Sequence, residues 1–132
     1  MNKQILIDDV RQFAETFELW EPLRDKRFLI TGATGLIGSV MIRCLLELNR
    51  RKNAGMKILA VVRNLGKAQR MFEDVFDEID FRQMELADVR QETIGDNVDY
   101  IIHCAAPTSS KYFVEHAVET FDTIIEGTSV LR

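Results

Sequence analysis

Short apolar runs alternate with segments of helical periodicity along this chain of 132 residues. The apolar runs are typical of buried strands, and they cover residues 27–31, 56–62, 81–86 and 98–105. The intervening and following segments predict helices at residues 36–49, 66–76 and 113–131. Because parallel strands need a helical crossover to return the chain, this alternation predicts an α/β fold. Short right-handed connections favour a three-layer, doubly wound parallel sheet of about four strands in the order 3-2-1-4.

One more helix is predicted ahead of the first strand. Val10, Phe13, Phe17 and Trp20 stand at helical spacing within residues 8–20, behind two aspartates that are typical of a helix start. Pro22 follows and is expected to end this helix. We therefore expect an amphipathic helix and lead-in over residues 1–24, followed by a sheet-forming domain over residues 25–132.

The composition excludes several classes of protein. Hydrophobic residues make up 46% of the chain, with two cysteines and a net charge of −4, which excludes disordered, collagen-like and disulfide-stapled chains. The acidic balance argues against a nucleic-acid partner. The longest apolar stretches are about six residues, too short to span a bilayer, and the N-terminus does not resemble a secretory signal. We therefore expect a cytoplasmic protein without a membrane partner.

The charges are divided between two parts of the chain. Eleven basic residues lie between positions 24 and 70 against two acidic ones, whereas ten acidic residues lie between positions 73 and 99 against two basic ones. Such runs usually form solvated faces. The alternative is that the basic block flanks a phosphate site.

A glycine-rich turn joins the first strand to the helix at residues 36–49. Gly32 permits a tight turn, Gly35 lets the backbone approach a pyrophosphate, and Gly38 lets the helix pack closely. The free N–H groups at the helix start, around Leu36 and Ile37, then point at phosphate oxygens. The strand-to-helix position is the one that dinucleotide binding requires. The alternative is a glycine-rich turn that binds no ligand.

Four motifs in order carry a resemblance to a known family. Residues 31–38, TGATGLIG, resemble the TGxxGxxG fingerprint of the extended short-chain dehydrogenase/reductases, the NAD-dependent epimerases and dehydratases of sugar nucleotides. Residues 86–90, 99–106 and 126–128 resemble three later motifs of that branch. The resemblance implies that the Asp88 carboxylate meets the adenine amino group, beside Val89. It also implies that the small residues at the end of the fourth strand border the cofactor, namely Cys104, Ala105 and Ala106.

Two positions depart from that family's pattern. Members that prefer NAD carry an aspartate at the end of the second strand, where this chain has Arg63 and Asn64. A guanidinium there suits a 2′-phosphate, so the cofactor is expected to be NAD or NADP, with NADP slightly favoured. The alternative is a surface arginine. Ile124 stands where the family has an asparagine, which removes that side chain's hydrogen bonds.

The chain carries no recognisable catalytic group. The family uses a tyrosine with a lysine four residues on, but Tyr100 and Tyr112 are followed at that spacing by Cys104 and His116. No metal-ligand spacing is present either. We therefore expect the cofactor-binding N-terminal part of an enzyme that acts on a nucleotide sugar, without catalysis by this chain alone. A non-enzymatic NAD(P)-sensing or interaction module is the alternative. An exposed sheet edge at the fourth strand is expected to cause self-association.

Overall fold

A four-stranded parallel sheet forms the centre of the protein, in a computed structural model that describes residues 3–95 and 97–105. The strands are β1 (Arg27–Thr31), β2 (Lys57–Val62), β3 (Asp80–Gln83) and β4 (Tyr100–His103). The α-helices are α1 (Lys3–Thr16), α2 (Leu36–Lys52), α3 (Leu65–Met71) and α4 (Gln91–Ile94). The strand order is β3-β2-β1-β4, and every pairing is parallel. The predicted fold class and strand order are confirmed.

Apolar side chains on both faces of the sheet form two separate cores, because successive residues of a strand point to opposite faces. One core joins Phe28 and Ile30 of β1 to Ala14 of α1, Ile42 of α2 and Ala68 of α3. The other joins alternate strand residues to the segment between β3 and β4, and it contains Leu29, Leu59, Val61, Val89 and Ile94. Helices α1, α2 and α3 therefore cover one face, and the β3–β4 connection covers the other.

The predicted bounds of the first helix were wrong by several residues at both ends. Helix α1 already includes Lys3, and Asp8 lies in its middle, where it accepts a hydrogen bond from Nε2 of Gln4 (2.9 Å) instead of capping a helix start. The helix ends at Thr16, whose hydroxyl donates to the carbonyl of Gln12 (2.8 Å). Pro22 does not end α1, because it lies within a separate 3-10 turn.

Most of the other helices and strands that differ from the sequence predictions are shorter than predicted. Helix α2 is the exception and runs three residues past the predicted end at residue 49. Helix α3 ends at Met71, because the chain then turns to bury Phe72 completely. Strands β3 and β4 are shorter than predicted, and residues 86–88 form a 3-10 turn instead of continuing β3. The predicted helix at residues 113–131 lies outside the described residues.

The basic and acidic parts of the chain meet in the folded structure. Arg43 of α2 binds Asp74 through two hydrogen bonds of 3.0 and 3.1 Å, and Arg50 binds Glu78 at 3.1 Å. Each pair joins α2 to the connection between α3 and β3. Acidic residues from the second part of the chain therefore neutralise these two arginines of α2.

Acid is expected to remove the stabilisation that these arginine contacts provide. Hydrogen bonds from Arg51 lower the pKa of Glu47, and hydrogen bonds from Arg43 lower the pKa of Asp74. A carboxyl with a depressed pKa in the folded state stabilises the protein above its unfolded-state pKa, and that stabilisation disappears as the pH falls through the folded-state pKa. We expect Glu47→Gln to lower the urea midpoint near pH 7, and we expect this effect to shrink progressively as the pH falls below the ordinary glutamate pKa of about 4.3. An undiminished difference at the acid end would contradict the assignment.

Candidate functional site

The carboxyl ends of all four strands lie at one edge of the sheet, because the strands are parallel. Strand β1 pairs with β2 on one side and with β4 on the other. After β1 the chain therefore adds β2 and β3 on one side of β1, and it later adds β4 on the other side. Ligands of open α/β sheets bind in the crevice outside the strand ends where the order reverses. In this chain that position lies beyond Thr31 and His103, the last residues of β1 and β4.

The glycine-rich turn leaves β1 at this crevice and enters α2. Its first residue, Gly32, has a φ of +70°, and the N–H of Gly35 donates to the carbonyl of Gly32 (3.0 Å). Gly35 is the N-cap of α2 and has no side chain to cap the helix. The N–H groups of Leu36, Ile37 and Gly38 therefore have no acceptor within the helix. The turn presents these three donors together at the positive end of a 17-residue helix.

Close backbone contacts explain two of the three glycines. A Cβ at Gly32 would lie 2.5 Å from the carbonyl carbon of Cys104 and 2.7 Å from the nitrogen of Ala105. A Cβ at Gly38 would overlap the carbonyl oxygen of Gly32. The start of helix α2 therefore packs closely against the backbone of the glycine-rich turn. Gly35 differs, because among residues 3–95 and 97–105 its Cβ would meet only the Gly32 oxygen, at 3.3 Å. This part of the chain therefore leaves the outer side of Gly35 open to a ligand.

Two large apolar residues are exposed at the start of α2. Leu36 and Ile37 expose 66% and 68% of their surface. Single exposed apolar residues are common, but these two adjoin the open N–H groups at the crevice. They can therefore contact an apolar part of a ligand that occupies this edge.

Thr31 connects the two strands that flank the crevice. Its side chain is completely buried, and its Oγ1 lies 2.7 Å from Nδ1 of His103. The same oxygen accepts hydrogen bonds from the N–H groups of Cys104 (3.2 Å) and Ala105 (3.3 Å). Sequence reasoning assigned neither His103 nor Thr31 to the candidate site. A hydroxyl at the end of one strand and an imidazole at the end of another were the available signals, but only the sheet register pairs them.

Arg63 and Asn64 follow directly after β2, at the same edge of the sheet. Arg63 is exposed and has no hydrogen-bond or ion-pair partner among residues 3–95 and 97–105. Asn64 caps α3, since its Oδ1 accepts a hydrogen bond from the N–H of Lys67 (3.0 Å). A Cβ at Gly66 would lie 3.5 Å from Nη1 of Arg70, so this guanidinium lies against the first turn of α3. Sequence reasoning assigned no role to Arg70, whose side chain reaches back to this turn.

Asp88 and Val89 lie beyond the end of β3. The Asp88 carboxylate is exposed in a 3-10 turn and has no side-chain partner in the described part of the chain. Val89 exposes only 2% of its surface and packs in the second core. Any ligand contact of Val89 must therefore involve its backbone, whereas Asp88 can offer its side chain.

The residues after β4 close the crevice on its other side. Cys104 and Ala105 are half-buried, and their shared peptide group lies against Gly32. Ala106, Ile124 and the motif at residues 126–128 lie outside the described residues. Among the described residues of the predicted site, Gly32, Cys104 and Ala105 are in contact. Arg63 follows β2 and Asp88 lies beyond β3, at the same carboxyl edge of the sheet.

The arrangement agrees with a sequence family. The model of the NAD-dependent epimerase/dehydratase family matches residues 28–131. This chain belongs to that family. The match includes every strand of the sheet except the first residue of β1, and it includes the whole glycine-rich turn. No curated protein sequence matches the chain.

Solved structures provide a second comparison. Pen from Bacillus thuringiensis is 25% identical, with a TM-score of 0.63 over 81% of this chain and 32% of Pen. The chain therefore spans about a third of the length of Pen. A probable oxidoreductase from Mycobacterium abscessus is 16% identical, with a TM-score of 0.35 over 92% of this chain and 47% of its own.

The site fits the nicotinamide dinucleotide that this family uses. A pyrophosphate needs convergent N–H donors and room for close approach, which the start of α2 and the bare Cα of Gly35 provide. Within residues 3–95 and 97–105, no three side chains of His, Cys, Asp and Glu group together as metal ligands. No helix in the described part of the chain is long and apolar enough to cross a membrane.

Proposed function

We propose that this chain binds NAD or NADP across the carboxyl edge of its sheet. The observation that carries the proposal is the uncapped start of α2 beside Gly35, at the point where the strand order reverses. Helix N-termini attract anions through their free N–H groups and their positive dipole end. The pyrophosphate is placed over Leu36, Ile37 and Gly38, and Leu36 and Ile37 contact the ligand with their exposed apolar side chains.

The adenosine half of the ligand is assigned to the ends of β2 and β3. The Asp88 carboxylate can accept a hydrogen bond from the adenine amino group, and the backbone of Val89 lies beside it. The exposed Arg63 is assigned to the 2′ position of the ribose, and the Arg70 guanidinium lies against the first turn of α3, the helix that follows Arg63. Since no carboxylate follows β2 to bind both ribose hydroxyls, NADP is favoured over NAD. Asn64 contributes by capping α3, which fixes the backbone next to Arg63.

Isothermal titration calorimetry with NAD⁺ and NADP⁺ tests this function. Gly35→Ala adds a methyl group on the open side of the turn while the nearest backbone atom remains 3.3 Å away. We expect a stable fold and binding weakened about 10- to 100-fold, because overpacking typically costs about 1–3 kcal/mol. Gly95→Ala is the control, since Gly95 lies ahead of β4, away from the carboxyl edge. Absence of binding by the unchanged chain, or equal affinity for Gly35→Ala, would refute the proposal.

We propose further that the bound dinucleotide serves an enzyme acting on a nucleotide sugar in the cytoplasm. When bound, the dinucleotide supplies a nicotinamide ring that accepts and returns hydride. This chain supplies the binding groups, and its sequence contains no Tyr-x-x-x-Lys pair. We therefore expect no steady turnover when this chain is mixed with NAD⁺ or NADP⁺ and a uridine diphosphate sugar. A Tyr-x-x-x-Lys pair encoded after Arg132 would favour this enzyme, and a stop codon there would favour the alternative, an NAD(P)-sensing module.

The outer edge of β4 is proposed to pair with a second copy of this chain. Strand β4 pairs only with β1 among the described strands, and its Tyr100 and Ile101 expose 43% and 44% of their surface. An open strand edge with apolar side chains favours pairing with another chain. We expect sedimentation velocity to show dimers that increase with concentration, and Ile101→Lys to reduce them. Leu19→Lys, at a residue 70% exposed elsewhere, should leave them unchanged. A monomer at every concentration would contradict this expectation.

A further inference from the structure

The hydroxyl of Thr31 has three hydrogen-bond partners at the end of β1. Thr31 is the one fully buried polar residue among those that the structure describes. The N–H groups of Cys104 and Ala105 point at its Oγ1 from 3.2 and 3.3 Å, and Nδ1 of His103 lies 2.7 Å away. All three partners belong to the end of β4 and the residues that follow it. This hydroxyl holds the end of β4 against the end of β1 together with the backbone carbonyl of Thr31, which accepts a hydrogen bond from the N–H of Cys104 (3.1 Å).

The chemistry of these groups determines which atom donates each hydrogen. A hydroxyl has one hydrogen and two lone pairs, whereas a backbone N–H can only donate. The N–H of Cys104 shares its hydrogen between Oγ1 (3.2 Å) and the backbone carbonyl of Thr31 (3.1 Å), and the N–H of Ala105 also donates to Oγ1. Among the described partners of Oγ1, only Nδ1 of His103 can accept a hydrogen. The hydroxyl hydrogen must therefore point at His103, whose Nδ1 accepts it. An imidazole nitrogen that accepts a hydrogen bond carries no proton, so the ring is neutral and its proton is on Nε2.

The same hydrogen bonds explain why the turn approaches β4 so closely. They hold the peptide between Cys104 and Ala105 at a position only 2.5 to 2.7 Å from where a Cβ of Gly32 would be. If Nδ1 of His103 carried a proton, Oγ1 would face three donors with two lone pairs. The hydrogen of the buried Thr31 hydroxyl would then have no acceptor among the described residues, at a cost in stability. The tautomer of His103 and the position of the glycine-rich turn are therefore linked through Thr31.

We propose that Thr31 and His103 form a positioning pair that fixes the glycine-rich turn, with His103 held as the neutral Nε2–H tautomer. The pair touches neither the pyrophosphate donors of α2 nor Arg63. It acts by holding the crevice between β1 and β4 at a fixed width. Its effect on NAD(P) affinity rests on the proposed function, whereas the tautomer and its dependence on Thr31 do not.

Nitrogen-15 NMR of the histidine rings tests the tautomer without any cofactor. At about pH 8, where an ordinary imidazole is neutral, we expect His103 to show a protonated Nε2 and an unprotonated Nδ1, assigned by comparison with His116→Gln. Thr31→Val removes the hydroxyl at nearly constant shape and should return His103 to a mixture of tautomers. Thr31→Ser keeps the hydroxyl and should restore the single tautomer. A protonated Nδ1 in the unchanged chain, or a spectrum unaffected by Thr31→Val, would overturn the proposal.

Cofactor affinity provides the second measurement. Thr31→Val should weaken binding of NAD⁺ and NADP⁺ alike by about 10-fold, a change of about 1.4 kcal/mol, and Thr31→Ser should remain within about 3-fold. If Thr31→Val fails to fold, His103→Phe and His103→Asn replace it, because asparagine retains an acceptor near the position of Nδ1 and phenylalanine does not. His103→Phe should weaken binding and His103→Asn should not, and equal effects would overturn the proposal. If the tautomer behaves as expected and no dinucleotide binds, the proposed function fails while the pair stands.

Discussion

Alanine at Gly32 or Gly38 is expected to cost about 3 kcal/mol or more of folding stability, a large share of the roughly 5–15 kcal/mol of a typical domain. At Gly32 two costs add. Alanine disfavours the left-handed φ of +70° by about 1–2 kcal/mol, and its Cβ would lie 2.5 Å from the backbone of Cys104. At Gly38 the Cβ would overlap the carbonyl oxygen of Gly32. Backbone atoms form both contacts, so no side chain can rotate away. Urea unfolding monitored by circular dichroism measures both losses.

Gly95 separates the two costs. Its φ is +74°, close to that of Gly32, but a Cβ there would have no neighbour within 4 Å in the described part of the chain. Gly95→Ala should therefore lose only the conformational part, about 1–2 kcal/mol. Gly35→Ala, with a single contact at 3.3 Å, should lose less than either Gly32→Ala or Gly38→Ala. Equal losses at Gly32 and Gly95 would show that the contact of the turn with Cys104 and Ala105 is not tight.

Replacing Arg63 by alanine is expected to weaken NADP⁺ binding about 10- to 150-fold. A hydrogen bond to a charged group contributes about 1.5–3 kcal/mol. Arg63 is exposed at the carboxyl end of β2 and has no partner among the described residues, so its guanidinium is free to bind a 2′-phosphate. NAD⁺ lacks that phosphate and should change by less than about 3-fold. Calorimetric titration of both dinucleotides measures the difference.

Lys57→Ala is the matched control for Arg63→Ala. Lys57 is an exposed cation at the start of the same strand, so it lies at the opposite edge of the sheet. Both variants remove one positive charge, and a purely long-range electrostatic effect would weaken NADP⁺ binding in both. We expect Lys57→Ala to match the unchanged chain. An equal loss of NAD⁺ and NADP⁺ affinity in Arg63→Ala would eliminate its role as a reader of the 2′-phosphate.

Periodicity predicted the elements of the sheet well and their ends poorly. The bounds of β1 were correct because a buried strand leads directly into a glycine with positive φ, which stops the ladder. The bounds of α1 were missed because two aspartates at residues 8 and 9 resemble a cap in sequence, although Asp8 binds Gln4 within the helix. Local capping signals compete with interactions inside the helix, and only the fold decides between them.

The sequence by itself determined the strand order and the glycine-rich turn, because both follow from local rules. Alternating buried strands and helices require parallel crossovers, and glycine alone tolerates the conformation and contacts found at Gly32. Only the tertiary structure decided which charges meet and which polar groups pair. Arg43 meets Asp74 from 31 positions away, and Thr31 meets His103 from 72 positions away. Such contacts depend on strand register and helix packing, which no local pattern of residues encodes.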